Sequence, residues 1–412
     1  MAGRTMADEA RRWPAGNHRV PYWIYTDRDI YRREQERIFR GPTWSYVGLE
    51  CEIPRAGDYK RTDIGDRSVI VVRDDAGGIS VLIDRCAHRG VQLCQQDKGT
   101  VTEFMCPYHQ WTYDLRGNLL GIPFQRGVKG KGGMPDGFAF ADHGLQALRV
   151  HARHGAIFAT MSDETPDFET YLGQPILGYY DRVLDGRALR LLGHSRQRIG
   201  GNWKLMLENI KDTHHASLLH VFFVTFGLFR VDNDSRIEMD PTGLHTALSS
   251  IRGRQELNDG TAQMRSFRGE MQLGDPRLLD TVHEFPGDET VVMQTIWPNL
   301  ILQQQSNTLA TRQIVPRGPD AFELHWTFFG YATDDDEMTA RRLRQANLMG
   351  PGGLVSVDDS EVLKLSQDGV TPHDGAEGLA EMGGREIENA GHMITEVAIR
   401  GFYRYYRQVM GV

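Results

Sequence analysis

Two cysteine and histidine pairs constrain the fold of this chain more than any other feature. The first pair is Cys86-x-His88 and the second is Cys106-x-x-His109, and residues 89–105, which are 17 positions, separate them. A structural zinc site of two cysteines and two histidines usually pairs like with like, as C-x-x-C followed by H-x₃₋₅-H. Here each pair combines one thiol with one imidazole, so the pattern favours a metal group that needs both donor types twice.

A Rieske [2Fe-2S] centre has this need, because two thiolates hold one of its irons and two neutral imidazoles hold the other. The surrounding sequence predicts short strands joined by loops. "SVIVVRD" at 68–74 and "GISVLIDRC" at 78–86 predict one hairpin, and "WTYDLRGNLLG" at 111–121 predicts a second. We therefore predict that two loops between strands hold one [2Fe-2S] cluster through Cys86, His88, Cys106 and His109.

The composition is that of an ordinary globular protein. A net charge of -8 leaves no basic surplus for nucleic acid or anionic lipid. The four cysteines are too few for a disulfide scaffold in 412 residues and indicate a reducing compartment. The charged start of the chain has no apolar core of a signal peptide, and "VFFVTFGLF" at 221–229 is shorter than the roughly 20 residues that span a bilayer. These features predict a cytoplasmic protein with no nucleic-acid or membrane partner.

The distribution of strand and helix signals predicts two domains. Strand patterns dominate up to about residue 160, and helical periodicity then appears around 203–220, 337–347 and 393–409. "ETVVMQTIW" and "NLILQQQ" between these helices have the character of strands. We predict an α+β protein with a small all-β domain at 40–160 and a larger domain formed by 1–39 and 161–412.

A second histidine-rich segment, "NWKLMLENIKDTHHASLLH" at 202–220, is a candidate site for a mononuclear metal. His215 and His220 are five residues apart, which is about 500° of helical rotation, so a regular helix would separate the two rings. We therefore predict an irregular helix at this point. Two imidazoles and one carboxylate bind Fe(II) in mononuclear oxygenases, and the carboxylate could come from Asp212, Asp358 or Asp359.

Together these motifs resemble the large subunits of Rieske-type aromatic-ring-hydroxylating oxygenases. The likeness covers nearly the whole chain and is greatest to members that act on salicylate, anthranilate and terephthalate, in the segments "RVPYWIYTDRDIY", "GNWKLMLENIKD", "RRLRQANLMGPGG" and "EMGGREI". The resemblance implies a helix-grip catalytic domain of antiparallel sheet and helices. It also implies that His215, His220 and Asp359 bind one mononuclear Fe(II), which reacts with O₂ as co-substrate.

The resemblance assigns further roles around the iron. Asp212 is expected to be a catalytic bridge that hydrogen-bonds a ligand histidine and reaches a cluster histidine, His109, of the neighbouring subunit. Asp358 is left as a solvent-facing or hydrogen-bonding residue. His214, where the relatives more often have tyrosine, is expected to point away from His215 and not to bind iron.

The resemblance also implies partners, because NAD(P)H has to be oxidised elsewhere. No G-x-G-x-x-G in this chain follows a strand and opens a helix. A separate flavin-dependent reductase and a ferredoxin are expected to deliver the electrons. A small β subunit is expected as well, in an α3β3 assembly that brings the cluster of one chain to the iron of its neighbour.

A small aromatic acid is the predicted substrate. Arginine binds a carboxylate through a two-pronged fork, which makes Arg312 and Arg400 candidate anchors. Gln304 is a further candidate, although strand alternation leaves open whether Gln304 or the pair Gln303 and Gln305 faces the pocket. Asn209 and Val355 complete the predicted pocket.

We predict salicylate-type monohydroxylation, with anthranilate-type or terephthalate-type ring dioxygenation as the alternative. A different class also fits the first motif: a Rieske electron carrier fused to a ligand-binding domain that holds no metal.

Overall fold

The computed structural model describes residues 12–252 and 264–412. The chain divides into two compact units. Residues 39–165 form the small unit, and the segments before and after it form the large unit. The predicted domain boundaries at 40 and 160 lie within about five residues of these limits.

The elements are numbered here in chain order. The strands are β1 (Arg19–Pro21), β2 (Ser45–Leu49), β3 (Asp58–Ile64), β4 (Arg67–Arg73), β5 (Ile79–Ile83), β6 (Lys98–Thr100), β7 (Phe104–Met105), β8 (Thr112–Tyr113), β9 (Leu119–Gly121), β10 (Arg149–Arg153), β11 (Ala156–Thr160), β12 (Leu189–Ile199), β13 (Asp234–Met239), β14 (Thr246–Ile251), β15 (Val291–Ile296), β16 (Leu300–Gln305), β17 (Thr308–Pro316), β18 (Phe322–Tyr331) and β19 (Glu377–Leu379). The helices are α1 (Trp23–Thr26), α2 (Arg28–Glu34), α3 (Phe168–Leu172), α4 (Ile176–Val183), α5 (Trp203–Lys211), α6 (His215–Leu219), α7 (Val221–Thr225), α8 (Asp336–Met349), α9 (Ser356–Val370) and α10 (Val397–Met410).

The small unit consists of short antiparallel strands in three sheets, with the orders β10-β11-β2, β5-β4-β3-β6 and β7-β8-β9. Both predicted hairpins are confirmed. Strand β4 pairs with β5 across a turn at Asp74–Gly78, and β8 pairs with β9 across a turn that contains Gly117 in the left-handed region, at φ +90°. A side chain larger than glycine would be strained at this position.

The large unit contains a seven-stranded antiparallel sheet with the order β12-β18-β17-β16-β15-β14-β13. Strands β15 to β17 are almost completely buried, so both of their faces pack against other elements. Helix α5 packs on β15 and β17 and also contacts α9. The predicted α+β class is therefore confirmed, and the sheet packs against α5, which directly precedes the histidines, and against α9, which carries Asp359. None of the helices in the described ranges is both long and apolar enough to cross a bilayer.

Each unit has its own hydrophobic core, and each core reaches the residues predicted to bind metal. In the small unit, Cys86, Cys106, Trp111 and Tyr113 belong to one buried cluster. In the large unit, the aromatic side chains that follow His220 pack with residues of β14 and β15. Close packing of this kind holds neighbouring polar groups in fixed positions.

Candidate metal centres

The two loops that carry the cysteine and histidine pairs have the same backbone geometry. The carbonyl of Cys86 accepts a hydrogen bond from Gly90 N–H at 2.9 Å, and the carbonyl of Cys106 accepts one from Gln110 N–H at 2.9 Å. The N–H of each cysteine donates to the carbonyl five residues later in the chain, on Val91 and on Trp111. Gly90 and Gln110 both have left-handed backbones, at φ +73° and +56°. The loops are therefore two copies of one turn, although their sequences differ.

The histidines of the two loops lie side by side at the loop tips. The ring centroids of His88 and His109 are 4.6 Å apart, and His88 stacks on Trp111 at 4.7 Å with the ring planes 2° from parallel. Both cysteines are buried, whereas His88 is exposed and His109 is half-buried. Trp111 thus supports the ring of His88 and also fills the core of the small unit.

The donor set of these loops fits a [2Fe-2S] cluster. Cys86 and Cys106 are free thiols, and the hydroxyl oxygen of Tyr113 lies 3.2 Å from Cys86 Sγ. Hydrogen bonds to the sulfur atoms are one of the means by which a protein adjusts the potential of such a cluster. Two inner thiols and two outer imidazoles provide the separate sulfur and nitrogen ends that a Rieske centre needs.

In the large unit, the chain between Trp203 and Thr225 is broken at two points, and the second break is the predicted irregularity between His215 and His220. Helix α5 ends at Asp212, which has an extended backbone with ψ 100°, and His220 interrupts the next helix with ψ 94°. The break at His220 brings its ring to 5.5 Å from that of His215, measured between centroids. A continuous helix could not bring these two rings together.

His215, His220 and Asp359 form a group of three, called the metal group below, whose potential ligand atoms all lie within 4.8 Å of one another. The Nε2 atoms of the two histidines lie 3.4 Å and 3.3 Å from Asp359 Oδ1. Burial disfavours ionisation of Asp359, but hydrogen bonds from both histidines hold its pKa well below the usual range. Two imidazoles and one ionised carboxylate are the donor set of mononuclear Fe(II) oxygenases, so these residues fit that metal.

Backbone and side-chain contacts fix the second nitrogen of each histidine. His220 Nδ1 lies 3.3 Å from Asp358 Oδ2, so Asp358 orients a member of the metal group. His215 Nδ1 lies 2.5 Å from the backbone carbonyl of Asp212, whereas the carboxylate of Asp212 is 3.8 Å from that atom. Within this chain the carbonyl of Asp212, and not its carboxylate, therefore lies within hydrogen-bonding distance of the ring nitrogen, which corrects one half of the predicted bridge. The other half, a contact of the Asp212 carboxylate with His109 of the neighbouring subunit, stays a prediction.

The carboxylate of Asp212 has other contacts. Its Oδ1 atom lies 2.9 Å from His214 Nδ1 and accepts the backbone N–H of His215 at 3.2 Å. Burial opposes ionisation of Asp212, but these histidines hold its pKa well below the usual range. His214 does not line the cavity beside the metal group, and no ligand atom of His214 belongs to that group.

A cavity lies next to the metal group and contains three of the five predicted substrate residues, Asn209, Arg312 and Val355. The amide nitrogen of Asn209 lies 3.1 Å from Asp359 Oδ1 and 3.4 Å from His215 Nε2, so Asn209 stands at the edge of the metal group. The remaining wall is largely apolar and includes Phe223, Phe229, Leu248, Val291 and Met293.

Two predicted substrate residues lie elsewhere, and both predictions are corrected. Gln304 points away from the cavity, where its amide contacts Arg182 Nε at 3.2 Å. The guanidinium of Arg400 donates to the backbone carbonyls of Ala380, Met382 and Glu386. Arg400 therefore satisfies buried carbonyl groups and does not contribute to the cavity, because such groups are costly to leave without a partner.

The alternative glutamine pair, Gln303 and Gln305, lies on the same side of the sheet as Arg312. Nε of Arg312 donates to Gln303 Oε1 at 2.9 Å, and Gln303 Nε2 donates to Gln305 Oε1 at 3.3 Å. Because an arginine has only donors, these contacts fix the orientation of both amides. Gln305 lines the cavity, and no acceptor among the described residues binds its amide nitrogen. The polar end of the cavity therefore presents N–H donors.

Comparison with known proteins identifies both units. Residues 43–131 match the family of the Rieske [2Fe-2S] domain, and residues 179–412 match the catalytic domain of the ring hydroxylating alpha subunit. Among relatives, the chain is 52% identical over 407 residues to the large oxygenase component of salicylate 5-hydroxylase from Ralstonia sp, covering 97% of this chain and 96% of that protein. It is 45% identical over 396 residues to the large subunit of anthranilate 1,2-dioxygenase from Burkholderia cepacia, covering 95% and 93% of the two chains.

A solved structure agrees with these relationships. The crystal structure of naphthalene 1,2-dioxygenase from Rhodococcus sp. bound to indole matches with a TM-score of 0.80 and 25% identity over 95% of this chain and 94% of that chain. The family uses a Rieske [2Fe-2S] cluster, a mononuclear iron and O₂, and its alpha subunits are terminal oxygenases that work with separate electron-transfer proteins. The family that the motifs predicted is confirmed, and the chain belongs to the alpha subunits of the Rieske non-heme iron ring-hydroxylating oxygenases.

Proposed function

We propose that this oxygenase hydroxylates a small aromatic acid with one carboxylate, and that the reaction is a monohydroxylation of the salicylate type. The observation that supports this most directly is that Arg312 is a buried cation beside the metal group without an ion-pair partner among the described residues. Its guanidinium is buried, lines the cavity beside the metal group, and lies 4.0 Å over the ring of Trp326. In the part of the chain that the structure describes, no carboxylate forms an ion pair with it.

The charge of Arg312 therefore needs an anion. Burial lowers the pKa of Arg312 to about 9, which still leaves the side chain protonated at neutral pH, and the negative charge of Asp359 favours this form. Asp359 cannot serve as the full counter-ion if it binds iron. A substrate carboxylate would supply the missing negative charge, and it would gain a charge-assisted hydrogen bond in a water-poor site.

The glutamine pair supports salicylate over anthranilate. The amide nitrogen of Gln305 offers N–H donors in the cavity that Arg312 also lines, and a phenolic hydroxyl accepts hydrogen bonds more readily than an aromatic amino group. The relative with 52% identity is named for salicylate and the one with 45% identity for anthranilate, which supports the same order.

The cavity gives less support to a terephthalate-type substrate, which carries two carboxylates. Arg400, the other predicted anchor, lies outside the cavity and binds backbone carbonyls. Among the described residues that line the cavity, Arg312 is the one arginine and no lysine is present. A second buried carboxylate would therefore lack a cation.

We propose that Cys86, His88, Cys106 and His109 hold the [2Fe-2S] cluster and that His215, His220 and Asp359 hold the mononuclear iron. When bound, the cluster supplies single electrons and the iron allows O₂ to react with the ring. In this arrangement Asp358 and the carbonyl of Asp212 orient the imidazoles, Arg312 and Gln305 orient the acid, and Phe223 and Phe229 exclude water.

We propose further that the chain works in the cytoplasm in an α3β3 assembly with a small β subunit, and that a ferredoxin and a flavin-dependent reductase supply its electrons. In this assembly the Asp212 carboxylate would reach His109 of the neighbouring subunit. The position of Asp212 supports this, because its side chain lines an open cleft of the large unit as well as the cavity.

Turnover of aromatic compounds tests the proposed substrate. The purified protein with a reductase and ferredoxin system should convert salicylate to a dihydroxybenzoate, with slower or no conversion of anthranilate, terephthalate and phenol. Phenol is the matched probe, because it has the ring and the hydroxyl but no carboxylate. Equal turnover of phenol and salicylate, or no turnover of any aromatic acid, would contradict the proposal.

Iron and sulfide analysis tests the two metal sites against the electron-carrier alternative. The oxygenase should contain about three irons for two acid-labile sulfides, whereas a carrier with one cluster contains about two. His215→Ala should lower the iron content by about one without loss of sulfide or of the colour of the cluster. Loss of sulfide in this variant would show that the assignment of the two sites is wrong.

A further inference from the structure

A wide cleft in the large unit shares a wall with the cavity. Its volume is about 600 Å³, and Asn209, Asp212 and His215 line both spaces. Tyr25 and Glu208 line the cleft but not the cavity. The substrate proposal uses neither of these two residues, although Glu208 directly precedes Asn209 in α5.

Glu208 forms a closed triangle of oxygen atoms with two phenols. Its Oε1 atom lies 2.8 Å from the hydroxyl oxygen of Tyr25 and is also within hydrogen-bonding distance of the hydroxyl oxygen of Tyr403. The two hydroxyl oxygens are 2.9 Å apart. Because the three residues come from α1, α5 and α10, the triangle is built by the tertiary fold and not by local sequence.

The number of protons in this triangle favours a neutral carboxyl group. If Glu208 is ionised, the two phenols supply two protons for three contacts, so one pair of oxygens has no hydrogen between them. If Glu208 is protonated, each oxygen can donate to one neighbour and accept from the other. All three contacts are then hydrogen bonds, and such closed networks are stabilised when buried.

The electrostatic surroundings of Glu208 also favour its protonated form. Burial raises the pKa of Glu208 to about 7, and the negative charge of Asp212 adds to this effect. Two effects lower the pKa of Glu208: hydrogen bonds from the two phenols to its carboxylate and the positive charge of Lys204. Lys204 is itself paired with Glu34 at 2.6 Å, so its charge is largely compensated.

We infer that Glu208, held by Tyr25 and Tyr403, stores and supplies protons for the oxygenation in the neighbouring cavity. Monohydroxylation consumes one O₂, two electrons and two protons and yields a phenol and water. Formation of a cis-diol consumes the same electrons and protons. The electron-transfer proteins of the family supply the electrons. Because both reactions consume two protons, the inference does not depend on the proposed substrate.

The cavity lacks a suitable proton source of its own. Among its described titratable side chains, three form the metal group, and an arginine does not release its proton near neutral pH. The remaining one, Asp212, already accepts the His215 backbone N–H. Glu208 would release its carboxyl proton across the wall that the cleft shares with the cavity, and there the proton would be consumed in forming the product hydroxyl group or water. The carboxylate of Glu208 would then take a proton from the water of the open cleft. The solvent thus closes the proton balance.

Two substitutions with a matched control test this inference. Glu208→Gln keeps the shape and the hydrogen-bonding capacity of the side chain but removes the exchangeable acid. Tyr403→Phe opens the triangle from the other side. Tyr406→Phe is the control, because Tyr406 is equally buried on the same helix but donates to Glu34, at 2.6 Å.

Infrared spectroscopy of the metal-free protein supplies a readout that does not depend on activity. The wild-type protein should show the carbonyl band of a protonated carboxyl group below about pH 7, and the band should shift in D₂O and fade as the pH rises. Glu208→Gln should lack the band, Tyr403→Phe should displace it, and Tyr406→Phe should leave it unchanged. An ionised Glu208 throughout the range from about pH 5 to pH 8 would overturn the inference.

The kinetic test uses whichever of salicylate, anthranilate or terephthalate the wild-type enzyme converts fastest. The wild-type kcat should fall above about pH 7, as the acid form is lost. Glu208→Gln should lower kcat by about tenfold to a hundredfold near pH 6.5, with a flat pH profile and an unchanged iron content.

A Glu208→Gln enzyme with wild-type kcat and pH profile would show a purely structural role, as would equal effects of Tyr403→Phe and Tyr406→Phe. If Glu208→Gln does not fold, Tyr403→Phe and Tyr406→Phe decide the question in both assays. If no aromatic acid is converted, the substrate proposal fails, but the infrared test still decides the state of Glu208.

Discussion

Replacement of Arg312 by glutamine tests how the cavity recognises its substrate. In the structure, the Nε and Nη2 atoms of Arg312 both donate to Gln303, which leaves the outer edge of the fork, formed by Nη1 and Nη2, for a ligand. That edge can make two parallel hydrogen bonds to a carboxylate. Arg312→Gln removes the charge and the fork but keeps a polar side chain of moderate size.

The magnitude follows from the number and type of the lost contacts. A hydrogen bond to a charged group contributes about 1.5–3 kcal/mol, and the loss of one partner of a buried charge pair costs about 2–5 kcal/mol. The new glutamine recovers part of one contact, so we expect a loss of about 3 kcal/mol in salicylate binding. Since about 1.4 kcal/mol corresponds to a tenfold change, Kd should rise by roughly 100-fold.

Calorimetric titration of the anaerobic protein measures this change without turnover. Salicylate should bind the variant about 100-fold more weakly, whereas phenol should bind both proteins with similar affinity. Arg400→Gln is the matched control, because it removes an equally buried arginine and should lower Tm without changing the salicylate Kd. The reasoning is refuted if Arg312→Gln binds salicylate as tightly as the wild-type protein does, or if the affinities for phenol and salicylate fall equally.

Three further predictions concern the metal site, a loop and a buried lysine. Asp358→Ala frees His220 Nδ1 and should weaken iron binding by about 10–100-fold, measured by competition with a chelator, while the sulfide content stays unchanged. Gly90→Ala should lower the free energy of unfolding of the small unit by about 1 kcal/mol and accelerate loss of the cluster's visible absorbance. The cause is backbone strain alone, because φ is +73° and the nearest atom to the added Cβ is 3.9 Å away. Burial lowers the pKa of Lys211 to about 7, well below the value of about 10 for lysine in an unfolded chain. Between these two pH values Lys211 binds a proton in the unfolded chain but not in the native protein, so the free energy of unfolding rises with pH. Denaturation at several pH values should show this slope in the wild-type protein and not in Lys211→Met; equal slopes would contradict the assignment.

The parts of the fold that depend on local periodicity could be predicted from the sequence. The strands on either side of Asp74–Gly78 have β-branched residues and a glycine-rich turn, and they form the expected hairpin. The helix that carries Asp359 was not predicted, because "GPGGLVSVDDSEVLKLSQ" begins with helix-breaking residues and has a weak apolar pattern. Its first turn contains Asp358 and Asp359, where carboxylates interact favourably with the helix dipole.

The residues that could bind metal were easier to predict from the sequence than the groups that orient them, for a physical reason. Metal ligands are few, chemically distinctive and spaced by the coordination geometry, so Cys86-x-His88 is visible in the sequence. The groups that orient them are common side chains or backbone atoms. The contact between the Asp212 carbonyl and His215 Nδ1 has no sequence signal, because every residue has a carbonyl and only the helix end at Asp212 turns this one toward the ring.

The choice between Gln304 and its neighbours illustrates a stricter limit. Three consecutive glutamines on β16 are chemically identical, and strand alternation requires only that Gln303 and Gln305 share one face. What decides which face meets the cavity is the register of β16 against β17, which sets Gln303 opposite Ala310 and Gln304 opposite Leu309. On the other face, Arg182 from helix α4 captures the amide of Gln304. A shift of one residue in this register would exchange the two faces and turn Gln303 and Gln305 away from the cavity. The proposed substrate recognition therefore depends on strand pairing as much as on the identity of the glutamines.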